Sequence, residues 1–332
     1  MTRPNVLVLA SDTLFQHFFS DTALAKLDEV TTWTRSAARA DSPELRSEVA
    51  NADVLITTWH SPFLTAEMLG QPSRVKLIAH CGGEVKSRVA EDVFQFATIT
   101  NAADPMARGV AEMALALTLT LVRRLPDYAA EMRDGVIRTN EYVSEGETLF
   151  GRRVGIVGFG RIGRAFSKLL QPLGVEILVT DPYAEPATVA AYGAALIELD
   201  ELVRSCSVVV LCAALTPDTR GMFDGRRLSF LTDGAYLINV ARGGLIDMEA
   251  LLTELRRGRI TAALDVTDPL EPLPPDHELR GLRNVILTPH IAAGGIEMRR
   301  EMGAIAVEEV VRFAKGQPPL NRVTTEMLAT MT

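Results

Sequence analysis

Arg153-Val154-Gly155-Ile156-Val157 runs without a break into Gly158-Phe159-Gly160-Arg161-Ile162-Gly163, and a helical pattern follows from Arg164 to Leu170. An apolar run, glycines spaced G-x-G-x-x-G and then a helix make the strand–turn–helix that receives a pyrophosphate. Gly158 permits the tight turn, Gly160 lets the backbone approach the phosphates, and Gly163 lets helix and strand pack closely. The helix N-terminus offers unpaired N–H groups and a partial positive charge, with Ile162 inside the turn and the Arg161 side chain beside it. The next strand pattern, Val175–Thr180, ends in Asp181, eighteen residues past Gly163. A carboxylate at that spacing accepts hydrogen bonds from the adenosine ribose and repels a 2′-phosphate, which predicts NAD rather than NADP.

Short β-branched runs alternate with helical patterns on both sides of this turn. Upstream lie Asn5–Leu9, Val54–Thr57, Leu77–Ala79 and Thr98–Thr100, separated by segments such as Thr22–Asp28 and Pro43–Ala50. Downstream lie Val208–Leu211, Ala235–Asn239, Thr261–Asp265 and Val285–Leu287, and a helical pattern from Ile296 to Ala314 stops at Gly316 and Pro318-Pro319. Such alternation predicts an α/β protein of two doubly wound parallel sheets. The expected cofactor domain spans 105–293 and is inserted into a discontinuous second domain made of 1–104 and 294–332. Asp104-Pro105 suits a helix start. The helix expected from Met106 to Leu125, which Pro126 would interrupt, is apolar on nearly every face, which predicts burial in a core or a homodimer interface. Glu141–Gly151 reads as a surface connection.

At 332 residues the chain is longer than one core usually serves. Its composition, 47% apolar and 23% charged, is that of a soluble globular protein. A net charge of −8 gives no general attraction for nucleic acid or anionic membranes. The apolar stretch Val110–Val122 is shorter than the roughly 20 residues a membrane span needs. Met1-Thr2-Arg3-Pro4-Asn5 has no secretory pattern, and Cys81, Cys206 and Cys212 have no metal-ligand spacing. Both features predict a reducing cytoplasm and no metal.

Three later segments end predicted strands at the edge where open α/β sheets bind ligands. They are Asn239-Val240-Ala241-Arg242-Gly243-Gly244, Leu264-Asp265-Val266-Thr267-Asp268-Pro269-Leu270-Glu271-Pro272 and Leu287-Thr288-Pro289-His290-Ile291-Ala292. Taken singly, His290 reads as a core or loop histidine, Arg242 as a surface arginine and Glu271 as a solvated carboxylate. Together, in this order after a dinucleotide turn and with Leu215-Thr216-Pro217 between, they resemble the D-isomer-specific 2-hydroxyacid dehydrogenase family over most of the chain.

The resemblance implies a Rossmann NAD-binding domain inserted in a flavodoxin-like substrate domain, with the active site between them. It implies interconversion of a small anionic 2-keto acid and its D-2-hydroxy acid. His290 would be the proton donor, because imidazole titrates near neutrality. Glu271 would hold the ring and favour its charged form. Arg242 would bind the substrate carboxylate, for which the planar guanidinium fork is suited. Ala241 and Asp265 would contact the cofactor.

Two departures from the family pattern matter. Leu270 lengthens the step from Asp265 to Glu271 by one residue, which leaves Glu271 and Asp268 both open as the partner of His290. The loop expected to bind the substrate carboxylate through its amides reads Ala79-His80-Cys81-Gly82-Gly83-Glu84-Val85-Lys86, with adjacent glycines and no aspartate. Gly82 and Gly83 remain the expected amide donors, as in an anion nest. His80 and Lys86 are candidate neighbours of the anion. His60, after Trp59 on an apolar strand, reads as half of a structural pair, and Glu112 as a structural carboxylate in the buried helix. The alternatives are an NAD-sensing, corepressor-like binding protein and a dehydrogenase of phosphite or formate. Glu271 argues against formate, because the formate enzymes of this broader family set an amide beside the histidine.

Overall fold

In the computed structural model, which describes residues 3–137 and 144–331, the short apolar runs become strands of two separate sheets. The chain divides into two units: residues up to Met106 together with those from Gly294 onward, and Ala107–Ala293.

In the first unit β1 (Asn5–Leu9), β2 (Thr32–Ser36), β3 (Val54–Thr57), β4 (Leu77–His80) and β5 (Thr98–Asn101) lie parallel in the order β5-β4-β3-β1-β2. A short strand, Arg322–Val323, adds antiparallel to β5. Successive residues of a strand face opposite sides, so β1 serves two cores. Val6 and Val8 pack with Phe18, Leu27, Met302 and Val307. Leu7 and Leu9 pack with Leu45, Val49 and Met68. Four helices of this unit start at Ser11, Ser20, Ser42 and Thr65, whose hydroxyls accept from Leu14, Ala23, Leu45 and Met68 N–H groups. Such caps contribute about 1 kcal/mol each. Glu309, 2% exposed, accepts from the backbones of Leu320 and Asn321 and from the Asn321 side chain, which fixes the return of the chain toward β5.

The second unit contains β6 (Arg153–Val157), β7 (Glu176–Thr180), β8 (Ala194–Leu196), β9 (Val208–Leu211), β10 (Ala235–Asn239), β11 (Ile260–Leu264) and β12 (Val285–Leu287). All are parallel, in the order β12-β11-β10-β9-β6-β7-β8. This is the doubly wound Rossmann order with one further strand, and its direction reverses between β6 and β9, where such sheets bind ligands. Apolar side chains fill both faces, Leu237, Leu251 and Leu264 on one and Ile156, Phe166 and Ile238 on the other.

Several elements depart from the sequence expectations. β2 reads TWTRS and is largely exposed, so it has no apolar signature; it is an edge strand. β8 is also an edge strand, only three residues long. The long apolar helix runs Ala103–Val122, and at 20 residues it is long enough, by length and composition, to cross a membrane. Half of its most apolar stretch is buried within the fold. Pro126 does not interrupt it: the chain turns at Arg124, with φ 52, and Pro126 sits in the first turn of a new helix, Leu125–Arg133. Glu112 is exposed rather than buried. Trp59-His60 lies in a turn after β3, not on the strand. Of the polar connection 141–151, residues 141–143 lie outside the described residues, as do Met1 and Thr2 of the N-terminal stretch.

The helix Ile296–Ala314 crosses the first unit on Gly303. A side-chain carbon there would collide with the carbonyl oxygen of Phe18. Gly303→Ala is therefore expected to lower the unfolding free energy by roughly 2–4 kcal/mol through overpacking. Urea denaturation measures it, and a loss under about 0.5 kcal/mol would show that the helix can shift freely.

Candidate active site

The second sheet brings four loops to its carboxyl edge: those after β6, β10, β11 and β12. At the first, Gly158 has φ 95, and a side-chain carbon would sit 2.6 Å from the backbone of Ala213. A carbon on Gly163 would collide with the Gly158 carbonyl, so the turn is held against the helix Arg161–Leu170. Gly160 has nothing within 4 Å of that position, which leaves its outer side open. The helix begins at Gly160 without a side-chain cap, so its first N–H groups point out of the turn. Asp181, at the end of β7, accepts from Phe159 N–H (2.7 Å) and Tyr183 N–H (2.8 Å), which sets its carboxylate beside the turn. A crowded inner side, an open outer side, an uncapped helix start and an adjacent carboxylate fit a dinucleotide. Arg161 and Ile162 occupy the first turn of that helix.

After β10 the buried Asn239 shapes the arginine loop. Its Nδ2 donates to the Arg242 carbonyl (2.9 Å) and its Oδ1 accepts from Ala241 N–H (3.0 Å). Arg242 Nη1 donates to the Ala241 carbonyl (2.8 Å). Any side chain on Gly243 would collide with the backbone of Thr267 and Asp268, so the arginine loop lies directly on the loop after β11. That loop carries Glu271, whose Oε1 accepts from Thr267 N–H (3.4 Å), while the Thr267 hydroxyl donates to the Leu270 carbonyl (2.6 Å).

His290 follows β12 with φ 52, a left-handed backbone that is uncommon outside glycine. Its Nδ1 lies 3.1 Å from Glu271 Oε2. Asp268 instead lies 3.6 Å from Arg220. The partner of His290 is thus Glu271; the extra Leu270 is taken up within the loop. Both side chains are partly exposed, 47% and 39%. With Nδ1 engaged, Nε2 is the ring position left for proton exchange.

Asp265, expected from the resemblance at the cofactor, is 1% exposed and committed to the protein. Its Oδ1 accepts from the Thr288 hydroxyl (2.6 Å) and Ile291 N–H (3.0 Å), and its Oδ2 from Ala292 N–H (2.9 Å). Its carbonyl accepts from His290 N–H (2.9 Å). Asp265 therefore holds the histidine loop on both flanks of the ring. Asn239 and Thr288 were missed as functional residues; the only sequence signal was a polar residue at the end of an apolar strand.

The first unit holds the other expected residues. Gly82 and Gly83 follow β4, and their carbonyls accept from Ala102 N–H (2.9 Å) and the Asn101 side chain (2.6 Å). His80 is 1% exposed and pairs with the Thr57 hydroxyl (2.8 Å). Burial, with the positive Arg88 nearby, pushes its pKa down to about 3, so the ring is neutral. Lys86 and His60 are exposed. Cys81 is buried, and burial pushes its thiol up, away from the reactive thiolate. Among the described residues no group of three or more His, Cys, Asp or Glu could hold a metal ion.

Comparisons with known proteins show which family the chain resembles. Residues 115–292, more than half of the chain, match the family model for the D-isomer specific 2-hydroxyacid dehydrogenase NAD binding domain. A glyoxylate reductase of Thermococcus onnurineus is 33% identical over 292 residues, 86% of each chain. A D-3-phosphoglycerate dehydrogenase of Methanocaldococcus jannaschii is 31% identical over 277 residues, 82% of this chain but only 52% of its own. Among solved structures, the TT0316 protein of Thermus thermophilus superposes with a TM-score of 0.77 at 32% identity, over 96% of this chain and all of the other. A 2-hydroxyacid dehydrogenase of Ketogulonicigenium vulgare gives 0.80 at 25% identity, over 98% of this chain and 99% of the other. By these matches the chain belongs to the D-isomer specific 2-hydroxyacid dehydrogenase family, NAD-dependent enzymes acting on a CH–OH group.

Proposed function

We propose that the chain interconverts a small 2-keto acid and its D-2-hydroxy acid, with Arg242, Glu271 and His290 as the reacting set. The observation that carries this is the 3.1 Å pairing of His290 Nδ1 with Glu271, in loops packed against that of Arg242. Bound NADH supplies the hydride to the carbonyl carbon. His290 Nε2 delivers the proton to the carbonyl oxygen, so keto acid, NADH and one proton give hydroxy acid and NAD. Glu271 stabilises the imidazolium before transfer and fixes the ring's orientation. Arg242 binds the substrate carboxylate bidentately and draws charge from the adjacent carbonyl. The backbone N–H groups of Gly82 and Gly83 are the proposed second hold on that carboxylate. Residues 1–104 with 294–332 are proposed as the substrate domain and 105–293 as the cofactor domain.

Gly158, Gly160, Arg161, Ile162 and Gly163 are proposed to seat the pyrophosphate and Asp181 the ribose. Ala241 lines the nicotinamide end, and Asp265 acts on the cofactor side through the loop it holds. The glyoxylate reductase and the D-3-phosphoglycerate dehydrogenases act on 2-keto or 2-hydroxy acids by their names, which supports the substrate class and leaves the individual acid to measurement. The chain spans about half the length of the phosphoglycerate enzymes. A cytoplasmic homodimer is proposed, with the helix Ala103–Val122 contributing its interface, because only half of its most apolar stretch is buried within the fold.

A panel of small 2-keto acids assayed by NADH oxidation is expected to show turnover. His290→Ala should then lower kcat by about 10²–10⁴-fold, with the NADH dissociation constant held within twofold. Glu271→Gln should lower kcat by a smaller factor, about 10–10². Turnover unchanged in His290→Ala would remove the histidine from the mechanism. For the cofactor, Asp181→Ala is expected to cut the preference for NADH over NADPH by roughly tenfold or more, through loss of ribose hydrogen bonds and of repulsion toward the 2′-phosphate. Equal preference before and after would refute its role. Light scattering at micromolar concentration should give twice the chain mass of 36.1 kDa, and a monomer mass would refute the dimer.

A further inference from the structure

The Leu215-Thr216-Pro217 stretch opens the loop after β9, where the strand order of the second sheet reverses. One end of this loop lies against the glycine turn, since the Ala213 backbone is what a side chain on Gly158 would strike. Its turn is closed by Thr219, whose hydroxyl donates to the Ala214 carbonyl (2.7 Å) and accepts from Thr216 N–H (2.8 Å). Arg220 N–H then donates to the Thr216 carbonyl (3.0 Å), and Gly221 N–H to the Gly244 carbonyl (2.8 Å), which seats this loop on the arginine loop. The Arg220 side chain follows the same course: a side-chain carbon on Gly244 would lie 3.0 Å from its Nη1.

From there Arg220 reaches Asp268, Nη1 to Oδ2 at 3.6 Å. Among the described residues, two polar contacts lead out of residues 267–271: this one, and that of Glu271 with His290. Inside the stretch the Thr267 hydroxyl holds the Leu270 carbonyl, while Thr267 N–H meets Glu271 at 3.4 Å. The extra residue adds two soft backbone dihedrals, and Leu270, 47% exposed, is not fixed by burial. A loop lengthened in this way loses its aim unless it is tied at a second place. An exposed ion pair adds little stability of its own, and Arg220 and Asp268, 59% and 42% exposed, are such a pair. The consequence of the pair is geometric. It joins the stretch that carries Glu271 to a loop already bonded at Thr216, Thr219 and Gly244.

We propose that Arg220 is a positioning residue for proton transfer: through Asp268 it fixes the lengthened glutamate loop and so holds Glu271 opposite His290 Nδ1. This deepens the reading of Glu271 and His290 as a reacting pair and rests on it. Asp268 is then not a spare partner for His290 but the grip by which the loop is held. The guanidinium also occupies the Asp268 carboxylate, which keeps the second acidic group of the loop away from the histidine.

Arg220→Met is expected to lower kcat by roughly fivefold or more, with the keto acid KM and the NADH dissociation constant held within about twofold. Asp268→Asn should give the same loss, and the double variant no more than either. In a Glu271→Gln background Arg220→Met should add nothing, since the residue acts through that carboxylate. Arg220→Lys, which keeps the charge, should restore part of the rate. Circular dichroism establishes that each variant is folded; if Arg220→Met is not, Asp268→Asn carries the test. Unchanged kcat, losses that add in the double variant, a further loss in the Glu271→Gln background, or a rise in KM in place of the fall in kcat overturns the proposal. A second readout needs no turnover. Nitrogen NMR of labelled imidazoles, with the His290 signals identified by their absence in His290→Ala, reports which ring nitrogen of the neutral form carries the proton. The native chain is expected to hold it on Nδ1, facing Glu271, and Arg220→Met to shift it toward Nε2; a distribution that does not change also overturns the proposal. Absence of turnover on every keto acid would instead strike the proposed function, while the spectra still decide the role of Arg220.

Discussion

The site in the second unit depends on the buried carboxylate of Asp265. A carboxylate removed from water survives only when its lone pairs are met, and here three donors meet them: the Thr288 hydroxyl and the Ile291 and Ala292 amides. Those donors flank His290 on both sides, and the Asp265 carbonyl takes the His290 amide as well. The loop after β12 is therefore tied to Asp265 by four bonds, with the Thr288 amide on the Leu264 carbonyl beside them. Between the ties His290 adopts φ 52, a conformation that persists in a non-glycine residue only where its surroundings over-determine it. The outcome of that constraint is the placement of Nδ1 opposite Glu271.

The same economy governs the neighbouring loops. Asn239, also buried, uses both ends of its amide on Ala241 and Arg242, so the arginine loop is shaped by the last residue of β10. Gly243 then lets that loop lie on Thr267 and Asp268. The histidine, glutamate and arginine loops are in this way held by backbone bonds and close packing, and the functional side chains are left partly exposed. Order sits beneath the site and access above it, the arrangement a preorganised polar site requires.

The motifs that were legible in the sequence are those whose cause is local. The glycine turn declares itself because collisions with Ala213 and with the Gly158 carbonyl exclude side chains there. Central strands such as β3, β9 and β10 are unbroken apolar runs because both faces are buried. Edge strands were not legible: β2 is mostly exposed and β8 has three residues, so neither has a pattern to read. The choice between Asp268 and Glu271 was also closed to sequence, since it turns on how one extra residue is absorbed in a loop. Asp265 was visible but its task was not, because its partners lie more than twenty positions downstream. The pairing of His17 with Arg299 spans most of the chain, and no periodicity reports it.

The two histidines at the strand ends show how environment divides one side chain into two instruments. His290 keeps water on one side and a carboxylate on the other. His80 has a hydroxyl for a partner and no solvent. A proton gained there would be a buried charge without compensation, so that ring is confined to a single state and acts as a fixed dipole. Proton transfer needs the first kind of site, and recognition of a fixed group is served by the second. The chain therefore sets a partly exposed imidazole beside Glu271 in the NAD-binding unit, and a buried, neutral one beside the Thr57 hydroxyl in the other.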